Sequence, residues 1–353
     1  MMFQELTNDA VSLLQQLIAI PSLSKDEKAA ADFLEQFIEE KGYVASRKDN
    51  NIWLMNPGFD SSRPTVLLNS HIDTVKPVSA WVRDPFSATI ENGKLFGLGS
   101  NDAGASVVCL LQAFFQLTKS QQAYNLIFAA SAEEEISGKN GLESLLQELP
   151  KIDFAIVGEP TKMNMAVAEK GLMVLDCTVR GIAGHAARNE GDNAIYKALS
   201  VIEWFRTYNF SKKSDLLGSV KLSVTQINAG TQHNVVPDTC TFVVDVRSNE
   251  MYSNEEILAE IRQNVNCEVQ ARSTRLSSTA TPLNHPVVKR GKEMNRTIFG
   301  SPTLSDQSLM PFVSVKMGPG DSARSHTADE YIMLAEMAEA IEIYIDLLDG
   351  LKL

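Results

Sequence analysis

The stretch "TVLLNSHIDTV" (65–75) decides the fold, because it is a short apolar run that ends in a histidine and an aspartate. Short, nearly continuous apolar runs are typical of strands buried on both faces of a sheet that helices cover. "NLIFAAS" (125–131) and "DFAIVGE" (153–159) repeat the pattern, and "SVVCLLQAFFQLTK" (106–119) predicts a crossover helix between the first two strands. This alternation predicts an α/β sheet whose functional residues follow the C-terminal ends of its strands.

The rest of the chain predicts a second domain inserted into the first. Two amphipathic helices, over 10–20 and 29–38, precede the sheet. From about residue 172, strand-like segments surround the helical pattern "NAIYKALSVIEWFRTY" (193–208), which predicts a smaller α+β domain. "STRLSSTATPLNHP" (273–286) has the composition of a linker, and "VVKRGKEMNRTIF" (287–299) resumes a helical pattern. The predicted domains are 1–171 and 278–353 for the first domain and 172–277 for the inserted one.

The composition excludes several classes of protein. A chain of 353 residues with 44% hydrophobic residues is long enough for two compact domains and too apolar to be disordered. The formal net charge is −12 and no segment is dense in lysine and arginine, so nucleic acid is not an expected partner. No apolar run approaches the roughly 18 residues that a membrane span needs, and the N-terminus lacks a signal-peptide core. We therefore expect a cytoplasmic protein that does not bind membranes.

The cysteines fit the same compartment. They are far apart and form no CxxC pair, which indicates reduced thiols rather than a disulfide framework or a thiolate zinc site. They are Cys109, Cys177, Cys240 and Cys267.

Polar side chains that suit metal chemistry follow the predicted strands. His71 and Asp73 are two positions apart, so the aspartate can accept a hydrogen bond from the second imidazole nitrogen and fix its tautomer. Alone this pair is weak evidence, because a histidine at a strand end is more often a satisfied polar residue than a ligand. Asp102 lies in the turn "GLGSNDAGAS" (97–106), where an Asx turn or a helix N-cap is an equal alternative.

Further carboxylates and a second histidine occupy later segments. "SAEEEISG" (131–138) places three consecutive glutamates directly after a buried strand, where their repulsion calls for a cation or a shared proton. Glu159 follows another strand, and His326 lies in a loop before the last helix. Two imidazoles with several carboxylates suit divalent metals such as zinc.

Taken together, the motifs resemble one known family, the M20 metallo-aminoacylases and peptidases, in the group of acetylornithine deacetylase and succinyl-diaminopimelate desuccinylase. The resemblance spans nearly the whole chain. It implies an α/β fold with a mixed-sheet zinc-peptidase catalytic domain and an inserted α+β lid and dimerisation domain. The motifs are "NSHIDTV" (69–75), "WVRDPF" (81–86), "GKLFGLGSND" (93–102), "AEEEISGKNG" (132–141), "VGEPT" (157–161), "RGIAGHAA" (180–187), "NVVPD" (234–238), "DVR" (245–247) and "GPGDSARSHTADEYI" (318–332).

The resemblance implies a site for two zinc ions, with cobalt as an alternative. In it, His71 and Glu159 would bind one ion, Asp102 would bridge both, and Glu135 with His326 would bind the other. Asp73 would steady His71, and Glu134 would be the general base that deprotonates a metal-activated water.

The resemblance also assigns roles in the inserted domain. His185 would reach into the active site of a partner subunit and stabilise the oxyanion, which implies a homodimer formed through this domain. The alternative for His185 is a surface loop histidine. Asn234 and Arg247 match positions that contact substrate, Arg247 by a bidentate bond to the α-carboxylate.

Two departures from the family pattern bear on these roles. Many members have a Lys-Gly pair where this chain has Gly104 and Ala105, so a cation near the site is missing. Glu133 replaces the usual aspartate before the two glutamates, which leaves open whether the base and ligand are Glu134 and Glu135 or Glu133 and Glu134.

The favoured function is a zinc-dependent deacylase that acts on a small N-acyl amino acid in arginine biosynthesis: acetylornithine, succinylornithine or acetylcitrulline. The alternatives are a succinyl-diaminopimelate desuccinylase and a di- or tripeptidase with the same site. A hypothesis from another class is an amino-acid-binding or interaction protein that retains the scaffold without catalysis.

Overall fold

A computed structural model describes residues 2–188 and 190–353 of the chain. The helices in these residues are α1 (Met2–Ile18), α2 (Lys28–Glu40), α3 (Ala105–Leu117), α4 (Leu142–Leu145), α5 (Ala194–Thr207), α6 (Asn254–Asn264), α7 (Pro286–Glu293) and α8 (Leu334–Leu348). The strands are β1 (Ser46–Lys48), β2 (Asn51–Met55), β3 (Thr65–His71), β4 (Thr89–Glu91), β5 (Lys94–Phe96), β6 (Asn125–Ser131), β7 (Phe154–Val157), β8 (Met165–Glu169), β9 (Gly171–Arg180), β10 (Gly184–His185), β11 (Lys221–Ala229), β12 (Val235–Val236), β13 (Thr239–Ser248), β14 (Glu268–Ala271), β15 (Thr279–Ala280), β16 (Ile298–Ser301), β17 (Ser314–Lys316) and β18 (Tyr331–Met333).

The chain divides into two compact units. The first comprises the residues up to Val167, Thr281–Phe299 and Ser305–Leu353. The second comprises Ala168–Ala280 and the short segment Gly300–Leu304. The limits that the sequence predicts for the inserted domain, 172 and 277, lie a few residues inside this second unit.

The first unit is built on a mixed sheet. Its strand order is β1-β2-β6-β3-β7-β17-β8. The central strands β6, β3, β7 and β17 are parallel, whereas β1, β2 and β8 add antiparallel edges. Every residue of β3 and of β6 is buried, as their continuous apolar runs predict. The α/β fold with a mixed sheet is therefore confirmed.

Helices cover both faces of this sheet. On one face α1, α3 and α8 pack together, with α3 in contact with β3 and β6. Helix α3 is apolar on all sides because it is buried between its neighbours and the sheet. On the other face a second apolar cluster joins the sheet to α4 and to the turn that ends at Met310. The parallel pairing of β3 with β6 and with β7 sets the register of these three strands between the two layers.

The second unit is an antiparallel sheet of order β11-β13-β9-β14 with α5 and α6 packed on one face. Residues of β9 alternate between buried and partly buried, which is the pattern of a strand with one face on a core. Cys177, Phe242 and Val244 belong to the apolar cluster between this sheet and its helices. The α+β character predicted for this part of the chain is confirmed.

Some boundaries differ from the expectations. Helix α1 begins at Met2 rather than near residue 10, because Leu6 continues the buried stripe toward the N-terminus. The helical pattern predicted over 287–299 ends at Glu293, and β16 begins at Ile298. The predicted linker contains β15, which pairs with β8. Among the described helices, none is both long and apolar enough to span a membrane.

Candidate metal centre and active site

Three neighbouring parallel strands deliver the acidic and imidazole groups to one edge of the sheet. His71 is the last residue of β3, the Glu133–Glu135 run starts two residues after β6, and Glu159 lies two residues after β7. Because β6, β3 and β7 are adjacent and parallel, their carboxyl ends meet at the same edge. The side chains that follow them therefore converge.

His71 is held with one nitrogen toward the protein and the other toward the carboxylates. It is 1% exposed, and its Nδ1 lies 2.9 Å from the main-chain oxygen of Asp73, an acceptor that selects the Nδ1–H tautomer. The Asp73 carboxylate, predicted from the sequence to accept this bond, is more distant at 3.4 Å. Nε2 is then free to act as a ligand, and it lies 3.3 Å from Asp102 Oδ1 and 3.7 Å from Glu159 Oε1.

The carboxylate of Asp73 positions the glutamate run instead. It accepts hydrogen bonds from the main-chain N–H of Glu134 (2.9 Å) and of Glu135 (3.1 Å), and from the Ser24 hydroxyl (2.7 Å). Burial would raise the pKa of Asp73, but His71, Ser24 and the Glu134 N–H together hold it below its ordinary value. Asp73 is therefore an anion that fixes both the histidine and the two glutamates.

The three consecutive glutamates point in different directions. Glu133 has a left-handed backbone (φ 55°), and its carboxylate accepts hydrogen bonds from the side chain and main chain of Asn140. Gly138 permits this fold-back, because a Cβ there would lie 1.9 Å from Glu133 Oε2. Glu134 and Glu135 instead reach the histidines: Glu134 Oε2 is 4.0 Å from His71 Nε2, and Glu135 Oε2 is 3.0 Å from His326 Nε2. The structure thus places Glu134 and Glu135, not Glu133, in the cluster.

Asp102 lies between the two histidines. It belongs to the irregular turn Ser100–Gly104, in which its own φ and ψ (−126°, 95°) are not helical. One carboxylate oxygen faces His71 Nε2 and the other lies 3.6 Å from His326 Nε2. A carboxylate with one oxygen toward each imidazole is placed to bridge two ions.

His326 reaches the cluster from the loop that precedes β18. Its backbone is left-handed (φ 59°), and its side chain is 54% exposed, which leaves this side of the cluster open to solvent. The loop is tied to the Asp102 turn by Asn101, whose side-chain amide donates to the Asp321 main-chain oxygen (3.1 Å) and whose Oδ1 accepts from the Asp321 N–H (3.0 Å).

The cluster concentrates negative charge away from water. Burial and neighbouring carboxylates raise the pKa of Glu134 and of Glu159 well above the ordinary range. Burial alone would lower the pKa of His71, yet the carboxylates of Asp102 and Asp73 raise it well above its usual value. A cation bound at this point, whether a proton or a metal ion, would offset this negative charge.

The donor set fits divalent metal ions. One donor atom from each of His71, Glu134 and Glu159 lies within 4.8 Å of the others, and the same holds for His71, Asp102 and Glu135. Imidazole nitrogen with carboxylate oxygen is the ligand set of borderline metals such as zinc, whereas calcium and magnesium prefer oxygen alone.

Comparison with known proteins agrees with this geometry. A family model described as "Peptidase family M20/M25/M40" matches residues 67–350. The chain belongs to this family. As a member it is a metal-dependent hydrolase of amide bonds, and the predicted family is confirmed.

Relatives cover the chain almost completely. A Mycobacterium tuberculosis protein described as "Putative succinyl-diaminopimelate desuccinylase" is 28% identical, over 98% of this chain and 99% of its own. The crystal structure of aminopeptidase PepT from Bacillus cereus has a TM-score of 0.79 at 18% identity, with 98% of each chain covered. A dinuclear metal-binding peptidase of the M20 family from Bacillus subtilis has a TM-score of 0.76 at 14% identity, covering 99% of this chain and 100% of its own. At these identities the two structures bear on the fold alone.

The remaining candidate residues lie in the second unit. His185 is in β10, exposed, with its Nδ1 accepting a hydrogen bond from the Ala187 N–H (3.1 Å). Asn234 is beside it, since the Asn234 main-chain oxygen accepts from the Ala186 N–H (3.0 Å). Arg247 is partly buried and forms a bidentate pair with Asp245 (2.8 and 3.1 Å). Their substrate contacts stay predictions.

The structure adds residues that the sequence did not single out. Asp306, 4% exposed, accepts hydrogen bonds from Asn69 (2.9 Å) and Ser131 (2.6 Å), two side chains of β3 and β6 just below the cluster. Glu330 holds the turn of Asp102. Asp306 lies five residues after the end of β16 and not directly behind a strand, so the strand-end pattern could not find it. Glu330 stands four residues after His326, within the segment 318–332.

Proposed function

We propose that this chain removes the acyl group from N-acyl-L-amino acids at a site for two divalent metal ions. The observation that supports it best is the placement of Asp102 between His71 and His326, with Glu135 and Glu159 on its two sides. The ions would be held by His71 with Glu159 and by Glu135 with His326, and Asp102 would be shared.

The chemistry of the reaction divides between the ions and the protein. Metal binding at this site would supply a Lewis acid for the scissile carbonyl and would lower the pKa of water. Glu134 would accept the proton of the attacking water and pass it to the leaving amine nitrogen. The backbone of Glu134 is fixed by Asp73. Its carboxylate lies 4.0 Å from His71 Nε2, beside the proposed ions, which is where a group that carries a proton between two steps is needed.

Zinc is the metal we propose, with cobalt as the alternative. The two imidazoles in the ligand set support zinc. The fold shared with the dinuclear metal-binding peptidase of Bacillus subtilis supports only the number of ions. Metal analysis of the purified protein should give about two zinc ions per chain. If the purified protein contains no stoichiometric zinc and gains no activity when zinc or cobalt is added, the catalytic proposal is excluded and a binding protein is favoured.

The substrates proposed first are acetylornithine, succinylornithine and acetylcitrulline, which the resemblance of the sequence motifs suggested. A second candidate is succinyl-diaminopimelate, favoured by the Mycobacterium tuberculosis relative that covers nearly the whole chain. Peptides are a third, since the aminopeptidase from Bacillus cereus shares the fold. All three classes present an amide beside a carboxylate, which a metal centre and one arginine suffice to recognise.

A substrate panel tests the proposal. The zinc-loaded protein is assayed for kcat/KM on the three arginine-pathway compounds, on succinyl-diaminopimelate and on di- and tripeptides. We expect turnover of at least one of the first three compounds with kcat/KM well above that for peptides. Cleavage of succinyl-diaminopimelate or of peptides alone would overturn the arginine assignment.

We further propose a homodimer formed through the second unit. Large apolar side chains are exposed there, among them Tyr196 (73%) and Leu199 (58%) on α5 and Ile227 (53%) on the edge strand β11. A helix face and an open strand edge of this kind can be covered by the same surface of a second copy. Light scattering after gel filtration should give a dimer for the wild type and a monomer for Tyr196→Asp, with Val44→Asp, an exposed site of the first unit, as control.

A further inference from the structure

One buried carboxylate outside the ligand set contacts the turn that carries Asp102. Glu330 is 2% exposed and immediately precedes β18. Its Oε1 accepts hydrogen bonds from the main-chain N–H groups of Asn101 (2.8 Å) and Asp102 (3.0 Å), and its Oε2 accepts from that of Gly99 (3.3 Å). The main-chain oxygen of Glu330 accepts a fourth bond from Gly97 (3.0 Å).

These N–H groups need an acceptor because the turn is irregular. In a regular helix each N–H would bond to a carbonyl of the preceding turn, but Asp102 has non-helical φ and ψ, and Gly99 is left-handed (φ 73°). A buried N–H without an acceptor costs about 1–3 kcal/mol. The carboxylate of Glu330 meets three such donors at once, so it determines the path of the chain through Asp102.

The same residue connects this turn to the loop of His326. Glu330 stands four positions after His326 and directly before β18. This strand pairs with β5, which ends directly before Gly97. Asn101 adds a second connection, because its side chain bonds to Asp321 and to the Ser325 hydroxyl (3.3 Å). The two segments that present Asp102 and His326 are thereby joined around Glu330.

We propose that Glu330 is a positioning residue that sets Asp102 relative to His326, and so determines the affinity of the ion that these two residues share with Glu135. This inference rests on the proposed metal-dependent function. Glu330 touches no candidate ligand atom, since its two oxygens are occupied by backbone donors. Its effect is transmitted through the backbone of the turn.

A carboxylate is the group that this position requires. Every partner is a donor, and a carboxylate has only acceptor atoms, whereas a glutamine would turn its NH2 group toward at least one backbone N–H. Glu330→Gln therefore keeps the size of the side chain and removes one acceptor. Asp329→Asn is the matched control, because Asp329 is adjacent and also accepts backbone bonds, but from Val82 (3.2 Å) and Arg83 (2.9 Å).

The test measures metal binding and amide exchange rather than turnover. Zinc affinities of the full chain are obtained by competition with a chromophoric chelator, for wild type, Glu330→Gln and Asp329→Asn. We expect Glu330→Gln to lose about 10–100-fold in zinc affinity, as is typical when a group that orients a metal ligand is removed. The loss should be larger at one site than at the other, because both ions would share Asp102 but only one would also bind His326. We expect Asp329→Asn to bind both ions as the wild type does. A purely structural role would lower the thermal midpoint of the metal-free protein and leave the zinc affinities of the folded protein unchanged.

Amide hydrogen exchange keeps the inference testable if Glu330→Gln does not fold. In the metal-free wild type, the Asn101 and Asp102 amides should be protected, because both donate to a buried carboxylate. Exchange at the rate of exposed loops would overturn the proposal. So would unchanged affinity for both ions in Glu330→Gln. If the wild type binds no ion, the proposed function itself fails, which is a distinct result.

Discussion

Replacing Asp73 by asparagine tests whether a buried anion fixes the catalytic glutamates. In the structure this fully buried carboxylate accepts bonds from the main-chain N–H of Glu134, the main-chain N–H of Glu135 and the Ser24 hydroxyl. Asparagine has the same size but a single acceptor oxygen. Its NH2 group can donate to the Ser24 oxygen after that hydroxyl rotates, so one backbone N–H is left without a partner.

The size of the effect follows from that one lost acceptor. An unpaired buried N–H costs about 1–3 kcal/mol, which is relieved only if the Glu134–Glu135 backbone moves. If this movement displaces Glu135 and the whole cost is lost from metal binding, metal affinity falls by a factor of about 5 to 150, because each 1.4 kcal/mol of binding free energy changes the affinity tenfold. We therefore expect Asp73→Asn to weaken metal binding by one to two orders of magnitude and to lower kcat as Glu134 shifts.

The assay compares zinc affinity and kcat in three variants. Ser24→Ala removes one of the three bonds to Asp73 and should have a smaller effect than Asp73→Asn. Asp84→Asn is the control, because Asp84 is an aspartate that accepts a backbone bond from Phe86 (3.0 Å) at an exposed site. Wild-type zinc affinity and wild-type kcat in a folded Asp73→Asn protein would refute this reasoning.

Three further results are expected. Glu134→Gln should lower kcat by about 10²–10⁴-fold while metal content is retained, whereas Glu135→Gln should lose one ion; metal analysis showing the reverse would exchange their roles. Burial lowers the pKa of His285, so the unfolded chain binds protons more tightly than the folded chain, and the free energy of unfolding should fall as pH drops through the ordinary histidine range. In chemical denaturation of the metal-free protein, His285→Gln should show a smaller fall than the wild type. An identical fall would contradict this role of His285. Gly104→Ala should destabilise the fold by about 1–3 kcal/mol through overpacking, and an unchanged midpoint of thermal unfolding would show that the turn relaxes.

The fold of the first unit could be predicted because its strands carry their own signal. The run 126–130 is entirely apolar, and β6 extends it by one polar residue at each end, from Asn125 to Ser131. The glutamates follow this run closely, so the sequence alone predicts that they lie at a strand end. The limits of α7 could not be found the same way, since "NRTIF" (295–299) continues an apolar spacing while the chain turns at Asn295 with φ 60° and enters a strand.

Side-chain direction within the site was beyond sequence reasoning. The three glutamates are identical in type and consecutive, so spacing alone left two registers. The structure distinguishes the three glutamates by backbone conformation. Glu133 adopts a left-handed φ and turns back to Asn140, whereas the Asp73 carboxylate accepts hydrogen bonds from the N–H groups of Glu134 and Glu135. Likewise the expected contact of His71 with the Asp73 carboxylate became a bond to its carbonyl, because the carboxylate is engaged elsewhere.

The departure from the family pattern at Gly104 is a matter of space. A Cβ at this position would lie 2.6 Å from the Gly99 carbonyl oxygen and 2.8 Å from Leu14 Cδ1, although φ and ψ are ordinary helical values. A lysine therefore does not fit this turn while α1 keeps its packing. Positive charge reaches the cluster from another strand, because Lys316 of β17 is buried and opposes the rise that burial and Asp102 cause in the pKa of Glu159. The lysine that many family members have at position 104 is thus absent here, and Lys316, which lies outside that motif, supplies positive charge instead. The absence of the first lysine therefore argues for a different packing of the turn rather than for a lost activity.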